Sequence, residues 1–270
     1  MSEGRGRRYP VLFVGAGPGD PELITVAGRR ALEAADLVVY AGSLVPEEML
    51  GWCRPRAQRV SSAGMELEEI VALMVEAYRA GQRVVRLHTG DPSLYGAVAE
   101  QIAALEERGV TYRIVPGVTA AFAAAAALGL EYTLPGLCQS LILTRVAGRT
   151  PVPRGEELAG LAAHGASLAV YLSAGQGARV SRELSQALGK EAPVAVVYRA
   201  GWPQERILWT TAGGLARAME AAGIRRHALI LAGPAVAARR AGKRPPRSHL
   251  YGADFARAWR QDRERKEPPA

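Results

Sequence analysis

The chain has 270 residues, 49% apolar and 22% charged, which suits a soluble globular protein with one large domain or two modest ones. No apolar run approaches the roughly 20 residues that span a bilayer, and residues 1–10 lack a secretory h-region, so a cytoplasmic location without membrane contact is expected. The net charge of +8 is concentrated: of 34 Lys and Arg against 26 Asp and Glu, ten and four fall within 237–270, leaving 24 and 22 before it, a near-neutral body that argues against nucleic acid as a partner.

In chain order, Val11 to Val14 is a short apolar run that reads as a buried parallel strand. It ends in Gly15-Ala16-Gly17-Pro18-Gly19-Asp20-Pro21, where Asp20 and Pro21 have the pattern of an N-cap and first helical residue. Leu23 to Ala35 has helical spacing and Leu37 to Ala41 is the next strand, completing a βαβ unit. A short strand ending near Val60 and a helix with Leu67, Ile70, Met74 and Tyr78 on one face follow. Arg83 to Leu87 is a strand feeding a second glycine, aspartate and proline corner, His88 to Gly96. A helix with Ile102 and Leu105, a strand over Tyr112 to Val115 and the loop Pro116-Gly117-Val118-Thr119-Ala120 come next. Three strand ends thus finish in glycine loops, and ligands of open parallel sheets lie beyond such ends.

Ala120 to Leu130 reads as a small-residue helix broken by Pro135-Gly136. Beyond it, apolar runs at Leu141, Leu168, Val194 and His227 alternate with helical segments starting near Glu156, Val180 and Leu215. The expectation is an N-terminal α/β domain over 10–117, a connecting segment over 118–136, a second α/β domain over 137–236 and a basic tail over 237–270. A small-molecule cleft is expected between the two domains.

The first loop does not suit a nucleotide phosphate. It lacks the lysine and hydroxyl residue of a P-loop, its glycines miss the dinucleotide spacing, Pro18 has no amide hydrogen and Asp20 would repel an anion. Cys53 and Cys138 are far apart and read as buried free thiols, and no metal site is expected. The four histidines are scattered and no acid-base or nucleophilic constellation stands out. Methyl transfer from a sulfonium donor fits this inventory, because positioning in a desolvated site supplies most of the catalysis.

The three loops, in this order, resemble those of the tetrapyrrole methylases, over about residues 10–236. Tyr40 to Val45, Gly90 to Ala97 and Glu131 to Gly136 resemble the branch that methylates C11 of precorrin-4, or of its cobalt form, in cobalamin synthesis. The resemblance implies two α/β domains, the first mostly parallel and the second mixed, a homodimer, and S-adenosylmethionine as donor with S-adenosylhomocysteine as product. Carried over by position, it implies donor contacts at Pro18, Thr89, Gly90, Asp91, Thr119, Ala120, Leu172, Ala200 and Ala228. No obligatory catalytic side chain is expected; Asp91 and Tyr95 are the candidates. For a substrate rich in carboxylates, Arg145 and Arg149 are candidate forks, with Tyr95 able to stack on the macrocycle. Two alternatives stay open: methylation of another tetrapyrrole position or of ribosomal RNA by the same fold, and a non-catalytic nucleotide-binding or interaction module.

Overall fold

The computed structural model describes residues 9–242 together with 244, 248, 249 and 257. Apart from its first six positions and those four residues, the basic segment expected over 237–270 lies outside the described residues. The described residues divide into two compact bodies, one formed by 9–127 with 199–206, the other by 128–198 with 207–242. The first division falls inside the expected connecting segment, whereas 199–206 packs with the first body although sequence order places it far into the second.

The first body runs through β1 (Val11–Gly15), α1 (Val26–Ala34), β2 (Leu37–Tyr40), α2 (Glu47–Leu50), β3 (Gln58–Ser61), α3 (Leu67–Arg79), β4 (Val84–His88), α4 (Val98–Glu106), β5 (Tyr112–Val115) and α5 (Ala120–Leu128). Its strands form one sheet in the order β3-β2-β4-β1-β5, with every pairing parallel. Both faces of β1 are apolar because both are covered. Val11 and Phe13 pack with Ile70 and Met74 of α3 and Leu105 of α4, while Val14 packs with Ala31 and Leu32 of α1.

The start of the first helix differs from the sequence expectation. Asp20 does cap a turn, accepting the Glu22 N–H at 2.9 Å, but that turn is a 3-10 helix over Pro21–Leu23. Ile24 is extended, and the helix restarts with Thr25 as N-cap, whose hydroxyl accepts the Gly28 N–H at 3.1 Å. Two competing caps five residues apart split what periodicity reads as one helix.

The second body contains β6 (Leu141–Arg145), α6 (Leu158–Ala163), β7 (Ser167–Tyr171), α7 (Gly177–Leu188), β8 (Pro193–Tyr198), β9 (Arg206–Thr211), α8 (Leu215–Ala221), β10 (Ala228–Ala232) and α9 (Pro234–Arg240). The sheet order is β6-β7-β10-β8-β9, and it is mixed: β6 and β7 are parallel, while β10 runs antiparallel to both β7 and β8. Leu158, Val180, Leu184, Leu215 and Met219 of α6 to α8 pack on one face of this sheet, against Leu168, Val170, Val194, Val196 and Ile230.

Two elements here were not anticipated. β9 is an edge strand whose first residues, Arg206 and Ile207, are exposed, which erases the apolar alternation that marks a strand. α9 begins at Pro234 in the N1 position after Gly233 and takes in Arg239 and Arg240, which the sequence reading assigned to the tail. Arg239 donates from Nε to the Leu128 carbonyl at 2.7 Å, so these first basic residues belong to the folded body. Both cysteines are free and buried; Cys138 Sγ and Ser167 Oγ donate to the same Tyr132 carbonyl, at 3.1 and 2.7 Å. No helix among the described residues is long and apolar enough to cross a membrane.

Candidate active site

Because β4, β1 and β5 are consecutive in the first sheet, the loops leaving their carboxyl ends are neighbours. They are joined main chain to main chain. Gly17 donates to the Gly90 carbonyl at 3.2 Å, Gly90 donates back to Gly17 at 2.8 Å, and Ala16 donates to the His88 carbonyl at 2.7 Å. Asp91 closes the third side: Oδ2 accepts the Gly117 N–H and Oδ1 the Ser93 N–H, both at 2.8 Å. A Cβ on Gly117 would stand 2.2 Å from the Gly90 carbonyl oxygen, and one on Gly15 would stand 2.6 Å from the Gly117 Cα. Glycine is therefore required by close approach of backbones, as it is where a ligand rests on main chain.

The amides of Ala16, Gly17, Gly90 and Gly117 point into these bonds, and Pro18 has none. A phosphate cradle needs such amides turned outward. The junction instead leaves these amides spent, with Asp91 bonded into it and Asp20 at the following turn. That fits a cationic, phosphate-free ligand. Thr119 is buried, and Ala120 after it opens α5.

Beneath the second loop lies a buried polar group. Arg86 donates from Nε to Gln101 Oε1 at 3.0 Å and from NH1 to the Val39 carbonyl at 3.3 Å, and Gln101 donates to the Ala97 carbonyl at 3.0 Å. Burial lowers the guanidinium to about 10, which leaves it charged at neutral pH. His88 is 3% exposed, stacks on Phe13 at 5.9 Å between ring centroids, and has no hydrogen-bond partner for Nε2. Burial, and after it the charge of Arg86, push its imidazole down to about 3 from the usual 6.5. A proton shuttle at neutral pH is not its role.

Since the folded chain disfavours His88 protonation, its contribution to stability is complete above pH 6.5 and is lost as pH falls toward 3. Between pH 7 and 5 the loss amounts to about 2 kcal/mol. Chemical denaturation at the two pH values measures it, and His88→Leu should flatten that part of the slope. An equal slope in the variant would remove His88 as the cause.

Among the described residues, five non-glycine residues have positive φ: Tyr95, Ala97, Leu172, Arg199 and His227. Tyr95 and Ala97 are in the loop after β4. Leu172 follows β7, Arg199 precedes Ala200 after β8, and His227 precedes Ala228 at the start of β10. Antiparallel pairing brings the start of β10 to the end where β7 and β8 finish, with Ala228 opposite Tyr198. Each left-handed residue costs about 1–2 kcal/mol, and such strain gathers where function over-determines the backbone. Leu172 is also 71% exposed, an apolar side chain held outward.

The tetrapyrrole (corrin/porphyrin) methylase model matches residues 10–216. The chain belongs to the tetrapyrrole methylases. Among the most similar relatives of this methylase is the cobalt-precorrin-4 C(11)-methyltransferase of Priestia megaterium, 48% identical over 250 residues, 92% of this chain and 96% of that protein. The precorrin-4 C(11)-methyltransferase of Pseudomonas aeruginosa is 49% identical over 84% of this chain and 91% of its own. A solved cobalt precorrin-4 methyltransferase, a cobalamin biosynthetic enzyme, superposes with a TM-score of 0.83 at 47% identity, covering 87% of this chain and 99% of that one. A uroporphyrin-III C-methyltransferase of Thermus thermophilus, solved with S-adenosylhomocysteine, gives 0.71 at 31% identity, covering 84% and 93%. Both expected sheets, one parallel and one mixed, are those of the methylase.

In the methylase, the two arginines singled out as substrate forks are unlike each other. Arg145, paired with Tyr171 at the end of β6, donates to the carbonyls of Thr150 at 2.9 Å and Pro151 at 2.8 Å. Its guanidinium thereby fixes the loop over 146–151, an arrangement the sequence gives no means of anticipating. Arg149, within that loop, is exposed. Tyr95 is 42% exposed. Among the described residues no group of three or more His, Cys, Asp or Glu is placed to hold a metal ion. A residue that sequence reasoning passed over is Trp202, whose Nε1 donates to the Pro18 carbonyl at 2.9 Å. At a sequence separation of 184, no local pattern links them.

Proposed function

We propose that the chain is an S-adenosylmethionine-dependent C-methyltransferase acting on C11 of precorrin-4 or of its cobalt form, in cobalamin synthesis. The observation that carries the reading is the near-complete relation to a cobalt-precorrin-4 C(11)-methyltransferase, 48% identical over 92% of this chain and 96% of the relative. The amide-spent junction of the first sheet supports the donor class. When bound, the sulfonium supplies an activated methyl: a carbon–carbon bond forms to the macrocycle as the sulfur–carbon bond breaks and its electron pair returns to sulfur.

In this reading the chain binds and orients. Pro18, Thr89, Gly90, Asp91, Thr119 and Ala120 hold the donor from the first set of loops; Leu172, Ala200 and Ala228 hold it from the others. Arg149 meets substrate carboxylates on the loop that Arg145 shapes, and Tyr95 lies against the macrocycle. No side chain is asked to act as nucleophile, since the ring carbon is electron-rich. The active species is a homodimer, and a monomer mass by light scattering at assay concentration would remove that part.

Titration of the full chain with S-adenosylhomocysteine should give saturable binding, followed by a gain of one methyl, read by mass, on precorrin-4 or cobalt-precorrin-4. No heat of binding and no methyl gain on either substrate would overturn the reading. A gain on only one of the two assigns the metal state. Leu172→Gly adds a sharper expectation, because it relieves a left-handed leucine whose side chain is exposed. The variant should be more stable by about 1 kcal/mol yet bind the donor several-fold more weakly. Unchanged affinity would take Leu172 out of the site.

A further inference from the structure

We propose that Trp202 is a positioning residue for the methyl donor, acting through Pro18 and Gly19. This rests on the reading that the donor lies on the loop after β1. The segment 199–206 packs with the first body, and there its indole does two things. Nε1 donates to the Pro18 carbonyl at 2.9 Å, fixing a residue whose missing amide leaves it no main-chain donor of its own. The ring edge meanwhile lies so close to Gly19 that a Cβ there would stand 2.1 Å from the indole Cδ1. Gly19 is glycine because Trp202 occupies the space a side chain would take.

The indole is itself held. Arg199 lies over the ring with its guanidinium carbon 5.6 Å from the centroid and donates to Gln204 at 3.1 Å. The Trp202 N–H donates to the Arg199 carbonyl at 3.0 Å, and Gly201 donates to Glu205 Oε2 at 2.8 Å. Gly201 also approaches the loop: a Cβ there would stand 3.3 Å from Pro18 Cγ, at a φ of +78° that favours glycine. A turn braced this way, with a left-handed arginine at its start, is built to hold one geometry. Its contact is with the loop carrying a donor residue, so the consequence belongs to donor binding rather than to the macrocycle.

The test uses the full chain, with S-adenosylhomocysteine titration and steady-state turnover measured on the same preparations. Trp202→Phe keeps a ring and removes the N–H donor. It should raise KM for S-adenosylmethionine and weaken S-adenosylhomocysteine binding about tenfold, with kcat within about twofold and KM for the tetrapyrrole unchanged. A role confined to folding would lower the thermal midpoint and leave both KM values alone, and that result overturns the proposal. Gly19→Ala should also weaken donor binding. Combined with Trp202→Leu, which clears the space, the double variant should bind at least as tightly as Gly19→Ala alone, whereas multiplied losses would overturn the proposed coupling. If the unaltered chain binds no S-adenosylhomocysteine, the donor reading itself fails. Binding by that chain with equal affinity in Trp202→Phe overturns only the role of Trp202.

Discussion

Gly117→Ala should abolish measurable donor binding, weakening it by at least about two orders of magnitude, and destabilise the chain by about 3 kcal/mol. The methyl it adds would fall 2.2 Å from the Gly90 oxygen and 2.8 Å from the Gly15 Cα. Both obstacles are main chain, so no rotamer change relieves them, and the β4 and β1 loops would have to part from the β5 loop. Their separation breaks the hydrogen bond from the Gly117 N–H to Asp91 Oδ2, which ties the third loop to the second. Gly160→Ala is the control: it lies in α6 with nothing within 4 Å of an added Cβ, and should stabilise by about 0.5–1 kcal/mol without touching affinity. Titration of both variants, with denaturant midpoints alongside, makes the comparison. Donor binding by Gly117→Ala within threefold of the unaltered chain would show that the junction is not the donor floor.

Asp91→Ala and Asp91→Asn should differ, and the difference tells what the carboxylate does. Its two oxygens accept two separate backbone N–H groups, from Ser93 and Gly117. Alanine leaves both without this acceptor; asparagine keeps one and turns an amide donor toward the other. With about 1–3 kcal/mol for each unmet donor, asparagine should weaken S-adenosylhomocysteine binding roughly tenfold and alanine roughly a hundredfold. If Asp91 served only as a charge facing the sulfonium, the two variants would lose equally. The measurement therefore separates a residue that ties loops together from one that touches the donor.

Most of the first sheet was legible because its strands obey a local rule. Val11 to Val14 and Leu37 to Tyr40 are apolar runs between turn signals, and the glycine corners after them mark where the chain reverses. What was missed has a common physical cause. The 3-10 turn at Pro21 is decided by competition between the Asp20 and Thr25 caps, whose outcome depends on packing. The bonds from Arg145 to the carbonyls of Thr150 and Pro151 depend on the course of the loop that follows it, which no local pattern sets. Trp202 meets Pro18 across 184 positions. The partner of Asp91, Gly117, lies 26 residues on, so its tie to the third loop has no local signal.

The floor formed by Gly15, Gly90 and Gly117 carries no side chains, and this limits how such a protein can evolve. A wall of side chains is revised one substitution at a time; a wall of touching backbones is inherited whole or lost. Change is therefore easier at exposed side chains such as Tyr95 and Arg149 than at these three glycines. Engineering a shift of substrate in this chain should begin at those exposed side chains and leave the three glycines alone.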